Sequence, residues 1–378
     1  MRSTLLNLLR CPGCRGRLTA STFVASPDGD EVVEGELICR CGLGFPIVDT
    51  IPRMLVGASA LFPSFMERYR GRLTSTATSV TPNGSRQQFE RLLTKTRESF
   101  GYQWTAFSQM VCDFRENFWN YLSPATPEFF RGRLGLDAGC GFGRHIYHAA
   151  SYGAEMIGVD VSRAIDATRQ NTKQFRSVHL VQADIYQLPF AEGIFDFIYS
   201  VGVIHHLPDP ARGLKSLVPL LKPGGTLFLW LYSSKRKVVN FLLETIRPAT
   251  TRMPHRLLQV VSWASAAIDW SVFVLPYQTL KGVRGFAGPV ERLTPARVKL
   301  YSRYPFQVLY ADWFDRLATP IRFYYDEAGV RALVGSGGLS DIQVTPTGLY
   351  GWRACGIRRE QAQGIEVSGL HEQKVRVS

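Results

Sequence analysis

From residue 133 onward the chain alternates two patterns. Largely apolar runs at 134–138, 155–159, 178–182, 195–200 and 226–232 predict buried strands. Between them, 144–152, 162–173 and 211–221 carry apolar residues at helical spacing, with Ser162 the expected cap of the second helix. Strands alternating with helices predict an α/β fold, a parallel sheet covered on both faces. The alternation stops at Tyr232 and resumes near Tyr325, where 327–333 reads as a helix and 340–346 and 350–357 as closing strands. The core is thus 133–232 plus 325–358, and 233–324 is a helical insertion.

The stretch before the core divides in three. Residues 1–56 hold cysteines, turns and short apolar runs, which predict a small folded unit. Residues 57–85 are rich in Ser, Thr, Gly and Pro and read as a linker. Residues 86–132 place aromatic side chains at helix-like intervals, among them Phe100, Tyr102, Trp104, Phe107, Phe114 and Phe118, and read as a helical lead-in that caps the core. Residues 359–378 are polar and read as a frayed tail.

Composition narrows the class. At 45% hydrophobic and 20% charged the chain is that of a globular protein, and a net charge of +13 favours an anionic partner without choosing among nucleic acid, membrane face and acidic small molecule. Four of the seven cysteines cluster in the first 41 residues and the others are scattered, which is no secreted disulfide framework. The apolar core of residues 1–10 is too short for a signal peptide, and the expected compartment is the cytoplasm.

Candidate chemistry begins at Leu-Gly-Leu-Asp-Ala-Gly-Cys-Gly-Phe-Gly-Arg-His, 134–145. Gly139, Gly141 and Gly143 follow a strand and let the backbone approach a ligand closely. A dinucleotide fingerprint needs its third glycine where Arg144 stands, so a nicotinamide-dependent dehydrogenase is disfavoured. Asp160 ends the second strand, where a carboxylate can accept from both ribose hydroxyls. Asp184 follows the third, where an acceptor could meet the adenine amine, and Asp137 is placed to attract an ammonium group. Either Asp160 or Asp184 alone could be a turn or cap residue. Ribose, adenine and an ammonium together describe S-adenosylmethionine.

Two later segments agree, Phe-Asp-Phe-Ile-Tyr-Ser-Val-Gly-Val-Ile-His-His-Leu-Pro-Asp (195–209) and Leu-Lys-Pro-Gly-Gly-Thr-Leu-Phe-Leu (221–229). With them the chain resembles the class I S-adenosylmethionine-dependent methyltransferases, in their small-molecule branch. The resemblance implies a Rossmann-like, seven-stranded, mostly parallel sheet. It also implies that Asp137, Gly139, Gly141 and Gly143 hold the methionine part and that Asp160 and Val161 lie at the ribose. Asp184 and Ile185 would border the adenine, with Ser200 and Val201 beneath the methionine chain. A helix near 100–104 would close over the cofactor, so Tyr102 and Trp104 could line the site, with plain core packing as the alternative for each.

Methyl transfer is an in-line displacement that needs a base only if the acceptor must lose a proton. His205 and His206, just after the fourth strand, are the candidates, with a structural or pocket-lining role as the alternative. His145 is expected to pack in its helix.

Cys11, Cys14, Cys39 and Cys41 form two knuckles, C-x-x-C and the tighter C-x-C, and four thiolates suit a tetrahedral structural zinc with no open catalytic position. The alternative is a fold that keeps its shape with reduced thiols and no metal. With Phe-Pro-Ile … Ile-Pro-Arg-Met-Leu at 45–55, this unit resembles the zinc-ribbon of the activator subunit of tRNA and protein methyltransferases.

Within the insertion, 257–275 approaches membrane-span length, but Gln259, Asp269 and three serines argue against a span. Residues 233–260 set Lys235, Arg236, Lys237, Arg247, Arg252 and Arg256 against the single acid Glu244. The expected role is a lid over a bulky small-molecule or lipid-like acceptor, and peripheral contact with an anionic membrane is compatible with it. Arg322, Tyr324, Tyr325, Trp352 and Arg353 could join the pocket, with ordinary burial or surface placement as the alternative for each. RNA methylation is the rival enzyme reading, though the basic residues do not interleave with aromatics as a stacking platform requires. A non-catalytic protein that binds the cofactor is the rival from another class.

Overall fold

The computed structural model describes residues 1–55, 57–74, 84–283, 285, 287–348 and 350–359. The N-terminal unit is a four-stranded antiparallel sheet, β1 (Leu18–Ala25), β2 (Val32–Cys39), β3 (Gly44–Val48) and β4 (Ile51–Pro52), in that order. The expected linker is corrected over 57–74. Short helices at Ala58–Leu61 and Pro63–Arg68 fold back on the sheet, because the Tyr69 and Phe65 rings pack on Phe23 with centroids 4.7 and 6.2 Å away. The Tyr69 hydroxyl also donates to Glu34. Residues 75–83 of that span, and 360–378 of the expected tail, lie outside the described residues.

The main sheet has seven strands: β5 (Leu134–Ala138), β6 (Glu155–Asp160), β7 (Val178–Gln182), β8 (Phe195–Val201), β9 (Leu221–Tyr232), β10 (Leu339–Thr347) and β11 (Gly351–Arg358). Their order is β10-β11-β9-β8-β5-β6-β7. Strands β5 to β9 are parallel, and β11 runs antiparallel to both of its neighbours. Near-continuous burial along β5 and β8 reflects cover on both faces, as a parallel sheet requires. Because strand order reverses between β5 and β8, a crevice opens at their carboxyl ends, where open α/β sheets take ligands. Ser162 departs slightly from its expected role. The helix starts at Ala164, and the Ser162 hydroxyl accepts from the Ala164 amide while donating to Asp160.

The N-terminal unit shares the main core rather than standing apart. Leu5, Leu9, Leu37, Phe45, Ile47 and Met54 belong to one buried cluster with Val181 and Phe190. It covers the β7 edge: the Met54 amide donates to Gln182 O at 2.7 Å, and Arg15 donates to Leu188 O and Phe190 O. An otherwise open edge strand is thereby capped.

Arg53, 1% exposed, fastens this joint. Its guanidinium meets Asp166 at 2.6 Å and Gln182 Oε1 at 3.2 Å. Arg53→Ala should cost about 3 kcal/mol, since it strands buried partners while Asp166 recovers some hydration. Urea unfolding of the variant checks this. A change under about 0.5 kcal/mol, ordinary for a surface site, would contradict it.

The insertion is helical as expected, with helices at Lys237–Thr250, His255–Lys281, Ala287–Leu293, Ala296–Tyr301 and Phe306–Ala318. With the lead-in helices Gly84–Ala106 and Arg115–Leu122 it roofs the carboxyl edge of the main sheet.

Candidate active site

The glycine loop forms because β5 must turn sharply into the Arg144–Ser151 helix. Gly139, Gly141 and Gly143 have φ of +95°, +55° and +93°, the region only glycine enters freely. A Cβ on Gly139 would lie 2.3 Å from a Val203 methyl, and one on Gly143 would lie 2.9 Å from Thr168. At Gly141 the nearest atoms belong to the Trp104 indole, 3.5 Å away. The loop is held from below by the Gly139 and Cys140 amides on Val159 O and from the side by the Gly141 amide on Asp160 Oδ2 at 3.0 Å.

Beside the loop lies a cavity of about 750 Å³. On the sheet side it is lined by Gly139, Gly141, Asp160, Val161, Asp184, Ile185, Val201 and His206, all contributed by the carboxyl ends of β5 to β8. Trp104 of the lead-in also lines it, whereas Tyr102 bonds Gln259 and stacks on His255 in the lid. On the lid side stand Tyr232, Tyr301, Asp312, Asp315, Arg316 and Arg322. Tyr324 and Arg353 reach the cavity; Tyr325 and Trp352 do not line it.

Four expected site residues lie outside the cavity lining. Asp137 is 2% exposed and turns under the loop toward Tyr199 and Cys140 instead of lining the cavity. Its position in a strand buried on both faces sends the side chain inward. Gly143 is the cap residue of the following helix, packed on Thr168. Ser200 is fully buried and donates to Ala138 O at 2.8 Å, bracing β5 against β8. His205 sits beneath Tyr232, ring centroids 4.1 Å apart, with both ring nitrogens buried and unpaired.

His206 does reach the cavity. Its Nδ1 lies 2.7 Å from Ile321 O, and since a carbonyl only accepts, Nδ1 carries the hydrogen and Nε2 keeps a lone pair. Burial pushes its pKa down to about 4, so the ring is neutral at pH 7. His145 packs between Phe118 and Tyr121 and lines the cavity's edge.

Asp160 Oδ1 accepts from the Ser162 amide and hydroxyl, and Oδ2 from Gly141. Of about four acceptor positions on a carboxylate, three are thus used. One ribose hydroxyl fits directly, and a second fits if the Ser162 hydroxyl rotates away. Asp184 caps the short turn after β7 through the Tyr186 amide and still borders the cavity. A glycine cradle, a carboxylate at the β6 end and the Trp104 face suit a nucleoside carrying an amino-acid chain, which is the shape of S-adenosylmethionine.

The lid's acidic pair was missed by sequence reading. Asp315 accepts from the Tyr232 hydroxyl at 2.8 Å and from Arg322, whose guanidinium lies 4.8 Å from the Tyr232 ring centroid. One turn back, Asp312 accepts from Tyr301, and Arg316 donates to that same hydroxyl at 2.9 Å. The signal was there: Asp312, Asp315 and Arg316, the charged residues of the largely apolar helix Phe306–Ala318, share one face.

Burial, with the nearby Asp160 charge adding, pushes the Asp137 carboxyl up to about 8 from its ordinary 3.8. The raised value means that the folded state favours the protonated form. That contribution is whole below about pH 4 and is lost as pH rises through about 8. Asp137→Asn should therefore flatten the fall in stability between pH 5 and 8. Urea midpoints at both pH values test it, and an unchanged slope would contradict it.

At the N-terminal end, the sulfurs of Cys11, Cys14, Cys39 and Cys41 lie within 4.8 Å of one another. The Cys11–Cys41 and Cys14–Cys39 pairs are 3.7 and 3.3 Å apart, close to the ~3.8 Å edge of a tetrahedron with zinc–sulfur bonds of ~2.3 Å. The donor set fits a structural zinc. It lies in the N-terminal unit, away from the cavity lining.

The fold and the glycine-lined crevice together define a methyltransferase domain of the kind that uses S-adenosylmethionine. Comparison with known families agrees in both units: residues 136–229 match the family described as "Methyltransferase domain", and residues 2–49 match "Trm112p-like protein". The chain thus carries a methyltransferase domain behind a Trm112p-like domain. A protein named tRNA U34 carboxymethyltransferase, from Pseudoalteromonas translucida, is 36% identical over 47% of this chain and 65% of its own length. A ubiquinone biosynthesis O-methyltransferase from Coxiella burnetii is 36% identical over 26% and 43% respectively. The chain therefore spans less than two thirds of these relatives. A solved complex of a Haloferax volcanii Trm112 activator with its methyltransferase covers 71% of this chain and 99% of the solved chain, at 13% identity and a TM-score of 0.40.

Proposed function

We propose that the chain moves the methyl group of S-adenosylmethionine onto a small-molecule or lipid-like acceptor held under the lid. The observation that carries this is a continuous cavity that joins the carboxyl edge of the sheet to the Tyr–Asp–Arg clusters beneath the lid. The cofactor, when bound, supplies an electrophilic methyl on a sulfonium. The chain's own residues position and exclude water. The glycine loop, with no side chains in the way, lets the backbone lie close against the methionine end, and Asp160 and Asp184 take the ribose and adenine. Neutral His206 offers Nε2 as a proton acceptor if the acceptor atom carries a proton. Arg316 and Arg322 in the lid wall are matched by Asp312 and Asp315, which suits an acceptor with a polar head that both donates and accepts hydrogen bonds. The expected compartment is the cytoplasm, where the four thiolates stay reduced.

A second reading, RNA methylation, is favoured by the tRNA U34 carboxymethyltransferase relative and the Trm112p-like unit. Incubating the protein with methyl-labelled S-adenosylmethionine, a total lipid extract and bulk tRNA separates the two. Label in the organic phase supports the proposal. Label in the RNA precipitate supports the second reading. Cofactor binding with neither product supports the non-catalytic alternative.

A further inference from the structure

We propose that the lid docks on an anionic lipid bilayer, lying in its interface with two helices half-sunk in the headgroup region. The observation is that both helices are amphipathic the wrong way round. In Lys237–Thr250 the polar residues Arg247 and Thr250 face the protein: Arg247 donates to Thr319 O, and Thr250 to Leu317 O. Its solvent face carries Val238, Phe241, Leu242 and Ile246, at 73%, 70%, 58% and 45% exposure. Spacings of three and four residues link Val238 to Phe241 and Leu242, and Leu242 to Ile246, so they form one stripe.

His255–Lys281 repeats the arrangement. Asp269 is buried against Arg297 and Trp313, while Leu257, Val260, Trp263 and Ile268 are each more than half exposed. This helix is long and apolar enough to cross a membrane by length and composition. Its inner face, however, packs on the Phe306–Ala318 helix and holds a buried ion pair, so it lies along a surface rather than through one.

Charge selects the occupant. Lys235, Lys237, Arg252 and Arg256 are exposed at the ends of the two helices. The one acid among them, Glu244, is engaged by Arg247 and Tyr324. A basic rim around an apolar face suits anionic lipid, and it repels a second copy of the same face. Trp263 supplies the amphipathic ring favoured at such an interface. Arg236, Asn240 and Leu243, on the inner side of the first helix or just before it, line the cavity. Docking would therefore set the cavity roof against the bilayer. The inference rests on the lid's surface alone and stands whatever the acceptor proves to be.

Flotation of the full chain with vesicles tests it. Phosphatidylcholine vesicles containing phosphatidylglycerol should carry the protein, pure phosphatidylcholine vesicles far less, and raised salt should weaken the binding. Phe241→Ser/Leu242→Ser, at exposed positions outside the cavity lining, should weaken flotation at least about tenfold while S-adenosylmethionine affinity is unchanged. Lys237→Glu/Arg256→Glu should remove the preference for anionic vesicles. Two results would overturn the proposal. One is wild-type protein that stays unbound with anionic vesicles. The other is a dimer that the double serine variant converts to monomer, which would assign the face to a second copy.

Discussion

Gly139→Ala is expected to abolish useful cofactor binding, weakening it by at least about a hundredfold, or ~2.7 kcal/mol. The residue sits at φ +95°, where an L side chain costs about 1–3 kcal/mol, and its new Cβ would meet the Val203 methyls at 2.3 and 2.9 Å. Val203 belongs to the turn after β8 and packs against the main core, so it yields little. The loop lifts instead, and the Gly141 amide leaves Asp160. Equilibrium dialysis with labelled S-adenosylhomocysteine measures the loss, with circular dichroism to show that the variant is folded. Binding within about threefold of wild type, less than 1 kcal/mol, would mean that the loop does not cradle the ligand.

The second large effect is expected at the cysteines. Cys39→Ser, or chelation, should lower the thermal midpoint by on the order of 10 °C, because structural zinc contributes several kcal/mol or more of folding energy. Cys39 is only 3% exposed, and its strand β2 belongs to the cluster that reaches Val181 of β7. Losing the metal therefore loosens the cover of the sheet edge as well as the N-terminal unit. Elemental analysis should find a single zinc per chain. Metal-free protein whose melting is indifferent to chelator would contradict the assignment.

The parallel strands were legible because burial on both faces leaves short, nearly unbroken apolar runs; Leu134–Ala138 and Val178–Gln182 stand where those runs do. The glycine loop and the cysteine knuckles were legible for the same kind of reason, since geometry demands those residue types. Side-chain direction was not. Asp137 and Asp160 both sit in strands beside the loop, yet Asp137 points into the core and Asp160 into the cavity. His205 and His206 are neighbours in one tight turn, and only the second reaches the cavity. Composition also misled at 57–74, where serine and glycine suggested a linker and the Phe65–Tyr69 aromatic pair decided otherwise. The acceptor wall was the hardest part to read. Tyr232 and Asp315 lie 83 positions apart, and only the folded lid brings them within a hydrogen bond.

On the proposed function, the crevice at the carboxyl edge holds S-adenosylmethionine through Asp160 and the glycine loop. Calorimetric titration of the folded, zinc-loaded chain tests it most directly, with Asp160→Ala as the paired variant and NAD as the control ligand. About micromolar binding of S-adenosylmethionine is expected, with a loss of tenfold or more in the variant and no heat from NAD. Absence of S-adenosylmethionine binding, or equal binding by the variant, would contradict it.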